Sequence, residues 1–388
     1  MISRRKFLGH VPRALVAGSA LHPLLARAFE DDPVPLPDKQ GMIERSLRFL
    51  DLETPSEYLN SWITPVSHFF VRNHMYEPGS VNATTWSLKI SGEVEHPLSL
   101  TMHDLSRLGP HAVTNTLECA GNGRGLYQPR VPGIQWERGG VGNARFSGPR
   151  LRDVLERAGI KPTAKHVVFR GMDGVPGKVP PFVRSIPIEK ALDRDTLIAT
   201  QMNGAVLSKH HGFPARALVP GWIGAASIKW LSEITLSENE FDGNFMKPGY
   251  RLPNQPVQPG EAVNVNQTHS ITELGVKSII TSPGEGEKVG AKPVVIRGAA
   301  WAGEADIIRV EVSIDGGTSW QPARLDGTRA RYSWRLWSHA WEPRNSGEHV
   351  LMSRAFDSKG RVQPLAPSWN PSGYLYNAAD KVNIYVQT

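Results

Sequence analysis

The sequence predicts an α+β domain followed by an all-β sandwich, and three observations carry that reading. Helical and strand hydrophobic periods alternate up to about residue 247, only the strand period persists beyond 264, and a run of prolines and glycines separates the two stretches. The chain of 388 residues holds 31 Pro and 37 Gly, a usage that favours strands and turns over helix bundles because both residues interrupt helices.

Taken in order, residues 29–60 are polar and Pro-rich and predict an extended N-terminal arm. An α+β domain is predicted over 61–247. Within it, Trp86-Ser-Leu-Lys-Ile alternates as a strand does. Thr101-Met-His-Asp-Leu sets an N-cap with an acid three residues on, a capping-box variant. Leu151, Val154, Leu155 and Ala158 fall at helical spacing, with Gly159 placed to stop the helix. His166–Phe169 and Ile228–Leu236 read as strands, which sets Lys229 inside an apolar strand. Residues 248–263 carry Pro248, Gly249, Pro253, Pro256, Pro259 and Gly260, so that stretch reads as a linker without regular structure. From 264 to 388, Lys277–Thr281, Val294–Gly298, Ile307–Ile314, Trp320–Leu325 and Tyr332–Trp337 are short β-rich runs. Asp315-Gly316-Gly317 offers a hairpin turn between two of them. Such spacing predicts an immunoglobulin-like sandwich.

The formal charge of +7 belongs largely to residues 1–28, which hold Arg4, Arg5, Lys6, Arg13 and Arg27 and no acid. The rest is nearly balanced, which excludes a nucleic-acid footprint. Ser3-Arg4-Arg5-Lys6-Phe7-Leu8 resembles a twin-arginine export signal, with Ala26-Arg27-Ala28 as its cleavage site, so a periplasmic location is expected. Pro12, Arg13, His22 and Pro23 break the apolar run, and no membrane span is expected. A single Cys excludes an intrachain disulfide and the Cys-rich zinc and iron–sulfur sites.

The chemistry concentrates in Thr116-Leu-Glu-Cys119-Ala-Gly-Asn-Gly-Arg124, where a strand delivers a cysteine into a glycine-rich loop. Thiolate suits a soft metal, adjacent glycines admit a bulky cofactor, and Arg124 is expected to lower the thiol pKa. Gly121-Asn-Gly123-Arg-Gly125 is not a dinucleotide loop, because Pro129 and Pro132 stand where a helix should open. Phe69-Phe70-Val71-Arg72-Asn73-His74, Lys209-His210-His211-Gly-Phe-Pro-Ala-Arg216 and Lys229 set cations among apolar residues. Singly each reads as surface charge; together they predict a deep pocket for an anionic, phosphorylated cofactor. His210 and His211, read as strand neighbours, point to opposite faces, so at most one is expected at a given site.

These segments resemble the sulfite oxidase family. Leu117-Glu-Cys119-Ala-Gly-Asn122, Phe70-x-Arg72-Asn-His74, Met202-Asn-Gly204, His211-Gly-Phe-Pro-x-Arg216, Val219-Pro-Gly221 and Lys229-Trp230 match its signatures. Val312-Ser-Ile-Asp-Gly-Gly-x-Ser-Trp320, Trp334-Arg-Leu-Trp337 and Pro367-x-Trp-Asn370 resemble its dimerisation domain. The resemblance implies a molybdopterin-binding domain followed by an immunoglobulin-like dimerisation domain, a homodimer, and molybdenum held by molybdopterin with Cys119 as the protein ligand. Phe69 to His74 (Val71 included), Asp173, His211, Arg216, Ser227, Ile228 and Lys229 correspond to cofactor-contacting positions. Arg72, Arg124 and Trp136 correspond to the pocket for a small anionic substrate. The implied reaction is oxidation of sulfite to sulfate, with electrons leaving to a separate acceptor such as cytochrome c. Three departures bear on the substrate: Thr200 and Ser372 stand where the animal enzymes have a tyrosine and an arginine, and Arg184 is an added cation expected at the active site. They keep open another oxo-transfer substrate, such as a sulfoxide, nitrate or carrier-bound sulfane.

Overall fold

The computed structural model describes residues 36–387, so the leader and the first part of the expected arm lie outside the described residues. Residues from Lys39 onward cluster as one unit. Its first core lies under a five-stranded sheet in the order Leu98–Thr101, Ser87–Gly92, Leu231–Ser237, His166–Gly171, Val183–Pro187. The helix Leu151–Ala158 packs here through the four apolar residues its spacing set on one face, and Gly159 ends it at φ 71°. Burying its larger side chains stabilises the fold by roughly 1.5–3 kcal/mol each. Thr101 caps the short helix Met102–Ser106 with both bonds of the capping box, Asp104 in the reciprocal role.

A four-stranded sheet carries the chemistry. Its order is Ala205–Val206, Gln201–Met202, Val141–Gly148, His111–Glu118. The last strand pairs along its whole length with Val141–Gly148 and stops one residue before Cys119.

The C-terminal third is the expected sandwich. One sheet runs Lys277–Ser282, Val294–Trp301, Arg335–Trp341, Arg324–Leu325; the other runs Lys288–Gly290, Asp380–Gln387, Gly347–Asp357, Ile307–Ser313, Gln321–Pro322. Every second residue of Asp380–Gln387 is buried, and Ile280, Ile296, Val310, Leu351, Val382 and Ile384 meet between the sheets. Gly316 and Gly317, at φ 70° and 95°, make the turn at Asp315.

Four expectations need correction. The arm is not merely extended, because Ile43–Leu47 and Leu50–Glu53 pair with each other and then with Val71–Arg72. The breaker-rich stretch is not wholly irregular, because Arg251–Pro253 pairs with Thr268–Ser270; Pro253 closes that two-stranded ladder at its end, where a missing N–H is tolerated. The strand expected from Ile228 starts at Leu231, since Trp230 takes φ 50° and breaks the extended run. Lys229 therefore lies in irregular chain. Tyr332–Trp334 likewise precede their strand, which opens at Arg335.

Candidate active site

Cys119 stands at the edge of a cavity lined also by Phe69, Phe70, Arg72, Asn73, His74, Asp173, His211, Arg216, Ser227, Ile228 and Lys229. Segments separated by more than a hundred residues thus converge as their charges suggested. Val71 is buried between Phe70 and Arg72 but does not line the cavity, because its strand alternation turns it away.

The thiol is free. Cys119 N–H donates to the Gly140 carbonyl at 2.9 Å, and the Cys119 carbonyl accepts from Asn122 N–H at 2.9 Å. The loop turns at Gly123, φ 91°, where an added Cβ would meet the Tyr376 side chain at 2.7 Å. Burial pushes the Cys119 thiol pKa up, and Arg72 and Arg124 offset this only in part. Arg124 does lower the thiol pKa as expected, but in the protein alone desolvation outweighs it. A bound metal cation is what this buried sulfur would need to ionise.

Glu118, next to Cys119, is 5% exposed. It accepts from Lys277 Nζ at 2.9 Å, Asn122 Nδ2 at 2.9 Å and Trp301 Nε1 at 2.8 Å. Lys277 and Trp301 belong to the sandwich, so the second domain braces the cysteine loop from behind.

Arg72 donates to Asp51 Oδ1 at 3.1 Å, and Asn73 N–H donates to the same oxygen at 3.1 Å. Asp51 comes from the arm, which the sequence reading left without a role. Lys229 Nζ donates to Asn73 Oδ1 and, at 2.9 Å, to the His210 carbonyl. Asn73 Nδ2 donates to Glu77 at 3.0 Å, and His210 Nδ1 lies 2.9 Å from the same carboxylate. His210 and His211 both line the cavity. The opposite-face expectation fails because Lys209–His211 forms a 3₁₀ turn, closed by Gly212 at φ 104°, rather than a strand.

His211 is held well below the usual histidine range, by burial first and then by Lys39, Lys229 and Arg216. Its neutral Nε2 accepts from Lys39 Nζ at 2.8 Å, and Lys39 also donates to the Phe69 carbonyl at 2.9 Å. Nothing in the local sequence marks Lys39; its role is visible only in three dimensions. Arg216 donates to the carbonyls of His211 (3.1 Å) and Ser227 (2.8 Å), and its buried Nε has no partner among the described residues. Burial lowers the Arg216 pKa to about 10 and the Lys229 pKa to about 7. Asp173 Oδ1 is buried without a hydrogen-bond partner among the described residues, and desolvation raises that carboxyl to about 6. Cations this deep with orphaned polar atoms fit a polyanionic ligand carrying further hydrogen-bonding groups, as the phosphate and ring of a pterin cofactor are.

Three expected substrate-pocket residues stand behind the lining. Arg124 donates to the Ser372 and Ile134 carbonyls at 2.9 and 3.1 Å, and its guanidinium lies 5.3 Å from the Tyr374 ring centre. Trp136 is fully buried, edge-on to Phe70 at 6.2 Å. Arg184 donates to the Phe245 carbonyl and lies 4.8 Å from the centre of the Tyr250 ring. All three are corrected from direct wall residues to groups one layer out, because loop carbonyls and tyrosine faces already engage the two guanidinium groups. Thr200 lies away from the cavity, beside Ser147 and Gln201. The aromatic wall that sequence reasoning missed is Phe182 and Tyr250, both of which line the cavity.

The comparisons agree with this geometry. Residues 74–245 match the oxidoreductase molybdopterin-binding domain, and residues 268–387 match the Mo-co oxidoreductase dimerisation domain. Human mitochondrial sulfite oxidase is 38% identical over 374 residues, which span 92% of this chain and 68% of that protein. The Arabidopsis thaliana sulfite oxidase is 31% identical across 84% of this chain and 89% of its own. Rice NADH nitrate reductase 1 is 34% identical across 87% of this chain and 40% of its own. Among solved structures, the sulfane dehydrogenase SoxCD from Paracoccus pantotrophus superposes with a TM-score of 0.75 at 28% identity, covering 97% of this chain and 92% of that one. Lys39, Asp51 and Arg72 precede the first matched segment, and Tyr250 falls between the two.

Proposed function

The chain belongs to the sulfite oxidase family of molybdopterin oxidoreductases, and on that premise we propose that it oxidises sulfite to sulfate and passes the electrons to a separate one-electron acceptor. The bound cofactor supplies a metal able to exchange an oxygen atom and two electrons. The net change is sulfite plus water to sulfate, two protons and two electrons, the electrons going to two equivalents of an acceptor such as a cytochrome c. Cys119 is the protein's ligand to the metal. Lys39, His211, Arg216 and Lys229 hold the anionic part of the cofactor, and Asp173 offers an acceptor to its ring.

Arg72 carries the substrate reading. It lines the cavity with Cys119 and is held by Asp51, which fixes the guanidinium without removing it from the wall. A preorganised cation there stabilises an oxyanion without reorganising during the reaction. Arg124 and Arg184, one layer out, add positive field. The test is sulfite-dependent reduction of cytochrome c by Mo-loaded protein, with Arg72→Gln alongside. Absence of any rate from fully loaded wild type sinks the sulfite assignment.

A second reading, another oxo-transfer substrate such as a carrier-bound sulfane, a sulfoxide or nitrate, draws support from Thr200 lying away from the cavity and from the likeness to SoxCD. Turnover of those compounds where sulfite gives none would establish it. The matched dimerisation segment supports a homodimer, and the paired arginines Arg4 and Arg5 support export of the folded protein to the periplasm.

A further inference from the structure

We propose that Asp51, in the N-terminal arm, is a positioning residue for substrate recognition. By taking the Nη1 end of Arg72 it turns the Nε–Nη2 edge of that guanidinium into the cavity, as a fork for two oxygens of one anion. The inference rests on the oxyanion reading above and deepens it, because it names the group that orients the cation and the shape of anion that the cation selects.

Every hydrogen bond of the Arg72 side chain among the described residues uses Nη1. That nitrogen donates to Asp51 Oδ1 at 3.1 Å, to Asp51 Oδ2 at 3.3 Å and to the Asn73 carbonyl. Nε and Nη2 have no partner among the described residues, yet neither is fully buried. The side chain keeps 24% of its surface open, and Arg72 lines the cavity. An arginine paired for stability alone gives a carboxylate two parallel N–H bonds, the stronger, bidentate geometry. Here the carboxylate meets a single nitrogen, and the two-donor edge is left for a ligand. Asp51 is itself 1% exposed and is not in the lining, so it acts through Arg72.

The aim of the fork is set by backbone. Asp51 stands opposite Arg72 in the ladder between Leu50–Glu53 and Val71–Arg72, and its Oδ1 also accepts from Asn73 N–H at 3.1 Å. That ladder is anchored to the cysteine loop. Glu53 accepts from Gly139 N–H at 2.7 Å, and Thr54 N–H donates to the Gly139 carbonyl at 3.1 Å. An added Cβ at Gly139 would meet the Thr54 carbonyl oxygen at 1.8 Å, so only glycine permits this approach. The next residue, Gly140, accepts from Cys119 N–H at 2.9 Å. One two-residue segment thus ties the strand that aims Arg72 to the backbone of the metal ligand. A planar fork held in this way gives two parallel bonds to an anion with two free oxygens, as sulfite has, and only its charge to a one-point anion.

The experiment compares wild type, Asp51→Ala and Asp51→Asn as Mo-loaded holoenzymes. It measures molybdenum and pterin content, sulfite kinetics, calorimetric binding of sulfate, and competitive inhibition by chloride. Sulfate reads the fork, whereas chloride reads only the local charge. Asp51→Ala should raise the sulfite KM and the sulfate dissociation constant about tenfold, as for loss of one hydrogen bond to a charged group, with a smaller change in kcat and no weakening of chloride inhibition. Asp51→Asn should stay within about threefold of wild type, because its amide oxygen accepts the same bonds from Arg72 and Asn73. Unchanged sulfate affinity in Asp51→Ala overturns this inference alone. So does a parallel loss of sulfate and chloride affinity, or an Asp51→Asn that binds sulfate as poorly as Asp51→Ala. Loss of molybdenum or pterin from Asp51→Asn also overturns it, by assigning the carboxylate to cofactor retention. A wild type that neither turns over sulfite nor binds sulfate removes the substrate reading and this inference with it.

Discussion

Replacing Lys277 by Met should destabilise the protein through the cysteine loop, although Lys277 lies 158 positions from Cys119 in sequence. The Glu118–Lys277 pair is buried on both sides, with side-chain exposures of 7% and 6% and an N···O distance of 2.9 Å. Met matches the length of the lysine stem, so the change removes a charge and little volume. Glu118 would keep its bonds from Asn122 and Trp301, but its buried charge would have lost its cationic partner. Breaking a buried pair in this way costs about 3–5 kcal/mol. Urea unfolding of wild type, Lys277→Met, Glu118→Gln and the double variant, with molybdenum content measured on each, resolves the contribution. Lys277→Met should lose the stated amount and part of its metal. The double variant should be more stable than Lys277→Met alone, because Gln removes the stranded charge; that coupling separates an electrostatic cause from lost packing. A loss below about 1 kcal/mol, or costs that simply add, would refute the reasoning that this pair braces the loop.

Further outcomes follow from the same geometry. Cys119→Ser should leave the fold intact and abolish molybdenum binding, read by elemental analysis and circular dichroism; full metal content in the variant would remove Cys119 as the ligand. Lys39→Ala should weaken cofactor retention by about tenfold or more, the scale of one charge-assisted hydrogen bond, measured as pterin lost on dialysis. The cofactor-free protein should become more stable as pH rises from 5 to 9. Folded His211 and His74 stay neutral while their unfolded counterparts take up protons below about 6.5, so their stability is lost as pH falls through that value. Lys229, at about 7 when folded and about 10.5 when unfolded, carries its full burial cost below 7 and sheds it above. Asp173, raised to about 6, adds a cost that is complete above 6 and so does not reverse the trend between 7 and 9. In holoenzyme the cofactor's anion restores the Lys229 charge, and the rise above pH 7, on the order of a few degrees in Tm, should flatten. Equal pH profiles for the two forms would count against Lys229 as an anion-holding group.

Much of the fold was legible because burial on one face leaves a period in the sequence. The helix Leu151–Ala158, the capping box at Thr101 and the strands of the sandwich each rest on contacts made by every second residue or every third and fourth. The site's chemical class was legible for a different reason. Cysteine, glycine and buried cations are residue types that few structural roles demand together, and Cys119, His211, Arg216 and Lys229 do converge on one cavity.

What the sequence could not determine is who neutralises whom. Lys39 reaches His211 across 172 positions, Lys277 reaches Glu118 across 159, and the Tyr250 hydroxyl reaches His74 across 176. None of these partners leaves a local signal, because a hydrogen bond constrains two atoms in space and nothing about the residues between them. The same limit explains the corrections. Arg124 and Arg184 are recognisable as cations, but loop carbonyls and tyrosine faces supplied by Ser372, Phe245, Tyr374 and Tyr250 draw them one layer back. Sequence alone determined that this chain builds a cationic pocket around one thiol. Only the tertiary structure decided which charges face that pocket, because facing it depends on counter-charges and strained backbone contributed from the arm, the supposed linker and the second domain.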